Sequence, residues 1–280
     1  MAIFSAIWVI AFYKRLNMLR DKKILMTGAA GGLGQEIARQ LAKHGTQLIL
    51  LDRNAERLTQ LAHEIQQSGG RAVSIVNDFS AENAAEAIIQ EITQTIGDVD
   101  MLINSAGVLD FTYFVAQNPA RISQIIYVNA IVPMLLARAV LPSMVARNAG
   151  HIVNIGSIFG SIGFPHYASY SASKFALRGF SQALRRELFD SNIKITYVAP
   201  RAIQTAINND ASTEMMRATN TAMDDPKQVA AEVIRAIIQQ KDEYYIGQPE
   251  SFFAWLNGLF PNLVGGGLKK PTIIARKFLK

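Results

Sequence analysis

Lys23-Ile-Leu-Met-Thr27-Gly28-Ala-Ala-Gly31-Gly32-Leu33-Gly34-Gln-Glu-Ile-Ala38 decides how this chain folds. Residues 23–26 form a short apolar run that reads as a strand ending at Thr27. From Gly32 to His44, Leu33, Ile37 and Leu41 recur at helical spacing. The glycines between let the backbone turn sharply, approach a pyrophosphate without a Cβ in the way, and aim a helix N-terminus at negative charge. A tight structural turn has the same composition, so the weight lies on its place between strand and helix. Asp52 ends the next strand, 18 residues after Gly34, where a carboxylate can accept hydrogen bonds from ribose hydroxyls. The same carboxylate repels a 2′-phosphate, which favours NAD over NADP, although the neighbouring Arg53 offers a guanidinium to that phosphate.

The opening unit repeats along the chain. Residues 46–51, 71–76 and 99–103 read as strands, and 55–67 and 81–96 as helices. A long helix over about 120–147 is expected to kink at Pro133. Strands at 151–155, 193–198 and 244–246, with helices at about 167–189 and 226–240, complete the series. This alternation predicts an α/β single-domain Rossmann fold over 22–248, with a seven-stranded, doubly wound parallel sheet and helices on both faces. An apolar and basic extension, 1–21, precedes it, and an apolar-aromatic then basic one, 249–280, follows.

The 280 residues contain no cysteine, which excludes a thiol nucleophile, a Cys-ligated zinc and any disulfide. His44, His63, His151 and His166 have no metal-ligand spacing, so no metal is expected. The net charge of +6 divides into +4 over 1–23, +5 over 251–280 and −3 between them. Basic ends without a reading motif argue against nucleic acid. Residues 2–12 are apolar and uncharged, but a bilayer span takes about 20 residues. They also lack the charge order and cleavage site of a secretory signal. They are either an interfacial anchor or a stretch ahead of a start at Met18. Phe252, Phe253, Trp255, Leu256, Leu259 and Phe260, ahead of a basic tail, support the anchor. The expected location is the cytoplasm, with peripheral membrane contact through the ends.

Tyr170-Ser-Ala-Ser-Lys174 carries the chemistry. Four residues apart on a helix, phenol and ammonium share a face. A free tyrosine titrates near 10 and is a poor base, but a neighbouring ammonium and a positive nicotinamide ring would both shift it downward. An ordinary helix face can carry the same pair. With the other motifs in order, however, the chain resembles the compact, non-extended branch of the short-chain dehydrogenase/reductase superfamily over about 22–248. Thr27-Gly28-x-x-x-Gly32-x-Gly34 matches its glycine motif, Asp78 its adenine-contacting acid, and Asn104-Ser-Ala106-Gly107 its turn beneath the cofactor. Asn129 matches its helix asparagine, and Ser157 stands 13 residues before Tyr170, as the family's serine does.

The resemblance implies an alcohol–carbonyl oxidoreductase. Tyr170 would be the acid or base and Lys174 would hold the nicotinamide ribose. Ser157 would hydrogen-bond the substrate oxygen, and Asn129 would position a relay water. It also implies a homodimer or homotetramer built partly from the helices of Asn129 and Tyr170. Two departures stand out. Gly28, Gly31 and Gly34 also fit the glycine spacing of the extended branch, and Pro200-Arg201 replaces the usual Pro-Gly, although Thr205 sits where a carboxamide-binding threonine belongs. Arg201 either alters the nicotinamide pocket or points outward. Substrate choice is expected in 206–225, where Met215, Met216 and Met223 either line an apolar cleft or pack a lid helix, with Phe164 and His166 at the cleft's edge. A lipophilic alcohol or ketone is the expected substrate. A dinucleotide-binding sensor or scaffold without turnover, and an epimerase or dehydratase of the extended branch, are the alternatives.

Overall fold

Strands buried on both faces must be apolar throughout, because helices cover each side of the sheet. In the computed structural model, which describes residues 18–79 and 83–279, β1 (Lys23–Thr27) obeys this rule. Ile24 and Met26 pack to one side and Leu25 to the other. Seven parallel strands follow the order β3-β2-β1-β4-β5-β6-β7, with β2 Gln47–Asp52, β3 Arg71–Val76, β4 Met101–Asn104, β5 Gly150–Ile155, β6 Ile193–Pro200 and β7 Glu243–Ile246. The order reverses between β1 and β4, where Thr27 pairs with Asn104, and a ligand crevice belongs at that switch point.

One face is covered by α1 (Gly32–Ala42), α2 (Ala55–Gln67) and α8 (Pro226–Ile238), through Ile37, Leu41, Leu61, Val233 and Ile237. The other carries α3 (Ala84–Thr95), α5 (Val132–Ala146) and α6 (Ala168–Glu187), through Ile88, Ile92, Leu136, Val140 and Leu184. Local chemistry starts these helices where they are needed. Asn54 caps α2 by accepting the Arg57 N–H, and Asp225 caps α8 by accepting the Lys227 N–H ahead of the N-terminal Pro226. The expected start of α3 at residue 81 lies outside the described residues.

The long helix is not simply kinked at Pro133. It runs as α4 (Pro119–Ile126), a π turn (Tyr127–Ile131) and α5. A proline ring clashes with the carbonyl four residues back and brings no N–H to it. That carbonyl belongs to Asn129, so the wider turn, in which the Val132 N–H reaches the Tyr127 carbonyl, accommodates the ring. Length and composition would let Pro119–Ala146 cross a bilayer, yet Leu136, Ala137, Val140 and Met144 face the core.

The 249–280 stretch is more ordered than a tail. α9 (Glu250–Leu259) and α10 (Pro261–Ala275) pack on each other and against the main body, as does α7 (Asp210–Ala218). Ala254 and Val264 pack onto Ile158 and Ile162, and Ala275 joins Phe111, Tyr167, Met215 and Met216. Residues 1–17, including the apolar run 2–12, lie outside the described residues.

Candidate active site

The glycine turn rests on steric necessity. Gly28 adopts φ +68°, and a Cβ there would lie 2.5 Å from the Ala106 nitrogen. A Cβ on Gly34 would lie 2.1 Å from the Gly28 carbonyl oxygen. Neither position admits a side chain without moving backbone. Thr27 Oγ1 accepts the N–H groups of Ser105 and Ala106, each at 3.2 Å, and so fastens the turn after β4 to the end of β1. Asp52 is held in place by two backbone donors, the Ala30 N–H on Oδ2 and the Asn54 N–H on Oδ1, both at 3.0 Å. Each carboxylate oxygen keeps a further acceptor site open.

A cavity of about 1080 Å³ connects these groups to the catalytic candidates. At one end it is lined by Asp52, Arg53, Arg57 and Asp78. Gly28, Gly31, Gly32, Leu33, Gly34, Ala106 and Gly107 form its floor. Ser157, Tyr170, Lys174, Pro200 and Thr205 lie further along, with the Thr205 side chain against Gly32. Residues of α7, α9 and α10 also line it. A glycine cradle, a helix N-terminus, a carboxylate with open acceptor sites and a cleft of this volume fit a dinucleotide.

Ser157 caps a short 3-10 turn (Ile158–Gly160), its Oγ accepting the Phe159 N–H at 3.1 Å. The Ser157 hydroxyl also acts on the Tyr170 phenol, drawing its pKa down. Tyr197, fully buried on β6, holds this turn from behind. Its hydroxyl donates to the Ser157 carbonyl at 3.2 Å and accepts the Ser157 N–H at 3.3 Å. Lys174 Nζ donates to the Ile155 carbonyl at 3.0 Å and lies 5.7 Å from the Tyr170 ring centre.

The expected downward shift of Tyr170 is not supplied by these protein groups. Burial pushes the phenol up to about 12, against the smaller pull of the Ser157 hydrogen bond. Burial also brings Lys174 down to about 8.

Asn104 and Asn129 stand behind the cavity. Asn104 Nδ2 donates to Asn154 Oδ1 at 2.8 Å. The Asn129 amide is committed to Val108, accepting its N–H at 2.9 Å and donating to its carbonyl at 2.8 Å, with a further bond to Ser173 Oγ at 3.0 Å. Any water role at Asn129 falls to its main-chain carbonyl, which Pro133 deprives of its α-helical donor.

Arg201 lines the cavity and forms a clamp there. Its guanidinium holds Asp224 at 2.6 and 2.9 Å, Glu250 at 3.0 Å and the Gln248 carbonyl at 2.7 Å. The carboxylates of Asp224 and Glu250 hold its pKa above the ordinary arginine value. Met215 and Met216 do both things expected of them, packing α7 into the core while lining the cavity. Sequence reasoning missed Arg57, one helical turn beyond the Asn54 cap, and Tyr197, whose only signal was an aromatic residue in a strand. It also missed the wall built by α9 and α10.

The family model for short chain dehydrogenase matches residues 22–216. The chain is 31% identical over 274 residues to dehydrogenase/reductase SDR family member 7B of Bos taurus, covering 93% of this chain and 84% of the bovine protein. It is 34% identical over 234 residues to the ketoacyl reductase HetN of a Nostoc strain, covering 83% and 81%. Among solved structures, a metagenomic short-chain oxidoreductase in complex with NADP superposes with a TM-score of 0.68 at 31% identity, covering 81% of this chain and 95% of that one. With its glycine turn, serine, tyrosine and lysine gathered in one cleft, the chain belongs to the short-chain dehydrogenase/reductase family of oxidoreductases.

Proposed function

We propose that this chain interconverts a lipophilic alcohol and its ketone or aldehyde by hydride transfer, using NAD in preference to NADP. The observation that carries the reading is the convergence of Ser157, Tyr170 and Lys174 in the same cavity as the glycine turn, beside a substrate end walled by apolar side chains. Phe159, Phe164, Leu109, Met215, Leu256 and Leu268 line that end.

A nicotinamide dinucleotide held by the glycine turn, Asp52 and Lys174 would supply or accept the hydride, and its oxidised form would add positive charge to the site. In reduction, the protonated Tyr170 donates its phenolic proton to the substrate oxygen, while the Ser157 O–H turns to hydrogen-bond the same oxygen. In oxidation, Tyr170 takes the proton back. Lys174, anchored on the Ile155 carbonyl, keeps its ammonium next to the phenol. Asp52 faces the adenosine ribose position and disfavours a 2′-phosphate there, although Arg53 and Arg57 flank it.

The test follows NADH and NADPH absorbance with alcohols and ketones of graded chain length. Turnover should rise with chain length and with NAD, and Tyr170→Phe should lose about a hundredfold to ten-thousandfold, the range for general acid–base catalysis. Flat activity across chain lengths refutes the lipophilic substrate. Dinucleotide binding without turnover above the Tyr170→Phe background makes the chain a sensor instead.

A further inference from the structure

The outer face of the α9–α10 hairpin leaves large apolar side chains in solvent. Among the described residues, seven of the sixteen exposed large hydrophobics fall between 252 and 273. Trp255 is 61% exposed and Leu259, Phe260 and Leu263 are more than half exposed. Phe252 stacks near both Phe253 and Trp255, at 5.9 and 5.8 Å between ring centres, so the rings form one patch. A patch this concentrated on a folded surface marks an interaction site.

Two further observations say what covers it. The exposed polar residues that follow are Lys269, Lys270, Arg276 and Lys277, and from Ser251 to the end the chain holds no acid. Exposed tryptophan and phenylalanine followed by lysine and arginine suit the headgroup boundary of an anionic bilayer. The cavity also meets this face, because Phe253 and Leu263 are at once exposed and part of its lining. The cleft and the patch therefore share these two side chains.

We propose that the α9–α10 hairpin docks on an anionic lipid surface, with the mouth of the substrate cleft against it. Aromatic side chains enter the interface and the four cations sit over anionic headgroups. Docking stands on the surface geometry alone. Its meaning, direct entry of a lipophilic substrate from the bilayer, rests on the proposed function.

The test needs no activity. The chain has two tryptophans, Trp8 and Trp255, so full-length Trp8→Phe leaves Trp255 as sole reporter. It is mixed with vesicles of phosphatidylcholine, alone or with phosphatidylglycerol, with and without dibrominated acyl chains. Trp255 emission should move to the blue and be quenched by brominated chains only when phosphatidylglycerol is present. Lys269→Gln with Lys270→Gln should weaken binding roughly 10- to 30-fold, from about 1 kcal/mol for each cation near such a surface. Leu259→Ser with Phe260→Ser, neither in the cleft lining, should abolish quenching while circular dichroism is unchanged. If the protein sediments with vesicles but Trp255 stays unquenched, contact is made elsewhere and the proposal fails. It fails equally if Trp255 is already blue and indifferent to vesicles, whether a second copy or the chain's own residues 2–12 cover the patch. Sedimentation velocity distinguishes those two covers.

Discussion

At the residue scale, Lys174 sets function against stability. Burial brings its ammonium down to about 8 from an ordinary 10.5, so the folded state binds this proton less tightly than the unfolded chain. The resulting penalty is fully present below pH 8 and fades as pH rises toward 10.5, because there the unfolded chain releases the proton too. The shift corresponds to about 3 kcal/mol, offset by about 1 kcal/mol from the bond to Ile155 that a replacement would lose. Lys174→Met should therefore abolish turnover yet stabilise the protein by about 2 kcal/mol at pH 7. Urea denaturation at pH 7 and pH 10.5 checks this, and an advantage that does not shrink at the higher pH refutes it. Tyr197 works through Ser157 rather than on substrate, since its hydroxyl touches only the Ser157 backbone at this site. Tyr197→Phe should lower kcat about tenfold, or ~1.4 kcal/mol, with dinucleotide affinity unchanged. Unchanged kcat would show that Ser157 is held well enough by its own cap.

At the element scale, Arg201 ties the end of β6 to the segment before α8 and to the first turn of α9. Loss of one partner in a partly buried ion pair leaves uncompensated charge behind. Arg201→Met should cost about 2–3 kcal/mol. Hydrogen exchange should quicken mainly over 249–275, and KM should rise for the longest substrates while dinucleotide binding holds. Uniform exchange across the chain would refute a clamp dedicated to the hairpin. These elements also mark where the sequence could be read. β1, the glycine turn and α1 were legible because strand and helix periods meet at residues that allow one local geometry. The Ser157, Tyr170 and Lys174 spacing was legible because two of the three share one helix. α10 was hidden by Gly265-Gly266-Gly267 and Pro271, which break helical propensity, whereas packing of Val264 and Ala275 overrides it. Arg201 was unreadable for a different reason. Its partners lie 23 and 49 residues away in sequence, and only the fold brings them together.

At the scale of the whole molecule, two groups of exposed apolar side chains among the described residues differ in chemistry. The hairpin patch is aromatic and followed by cations alone. The second lies on α5, α6 and the π turn, where Ile131, Val145 and Phe175 are exposed and Phe189, just beyond α6, is 83% exposed. A helix that is apolar on its outer as well as its inner face needs a cover that a single copy does not supply. A second copy of the same face would provide it without lipid, since a two-fold contact sets the same patch against itself. Sedimentation velocity should therefore give a dimer or larger species in buffer without vesicles. Phe175→Glu with Ile131→Glu should shift it toward monomer and leave vesicle binding through the hairpin intact. If those substitutions abolish vesicle binding and leave the assembly whole, the two surfaces have been assigned the wrong way round.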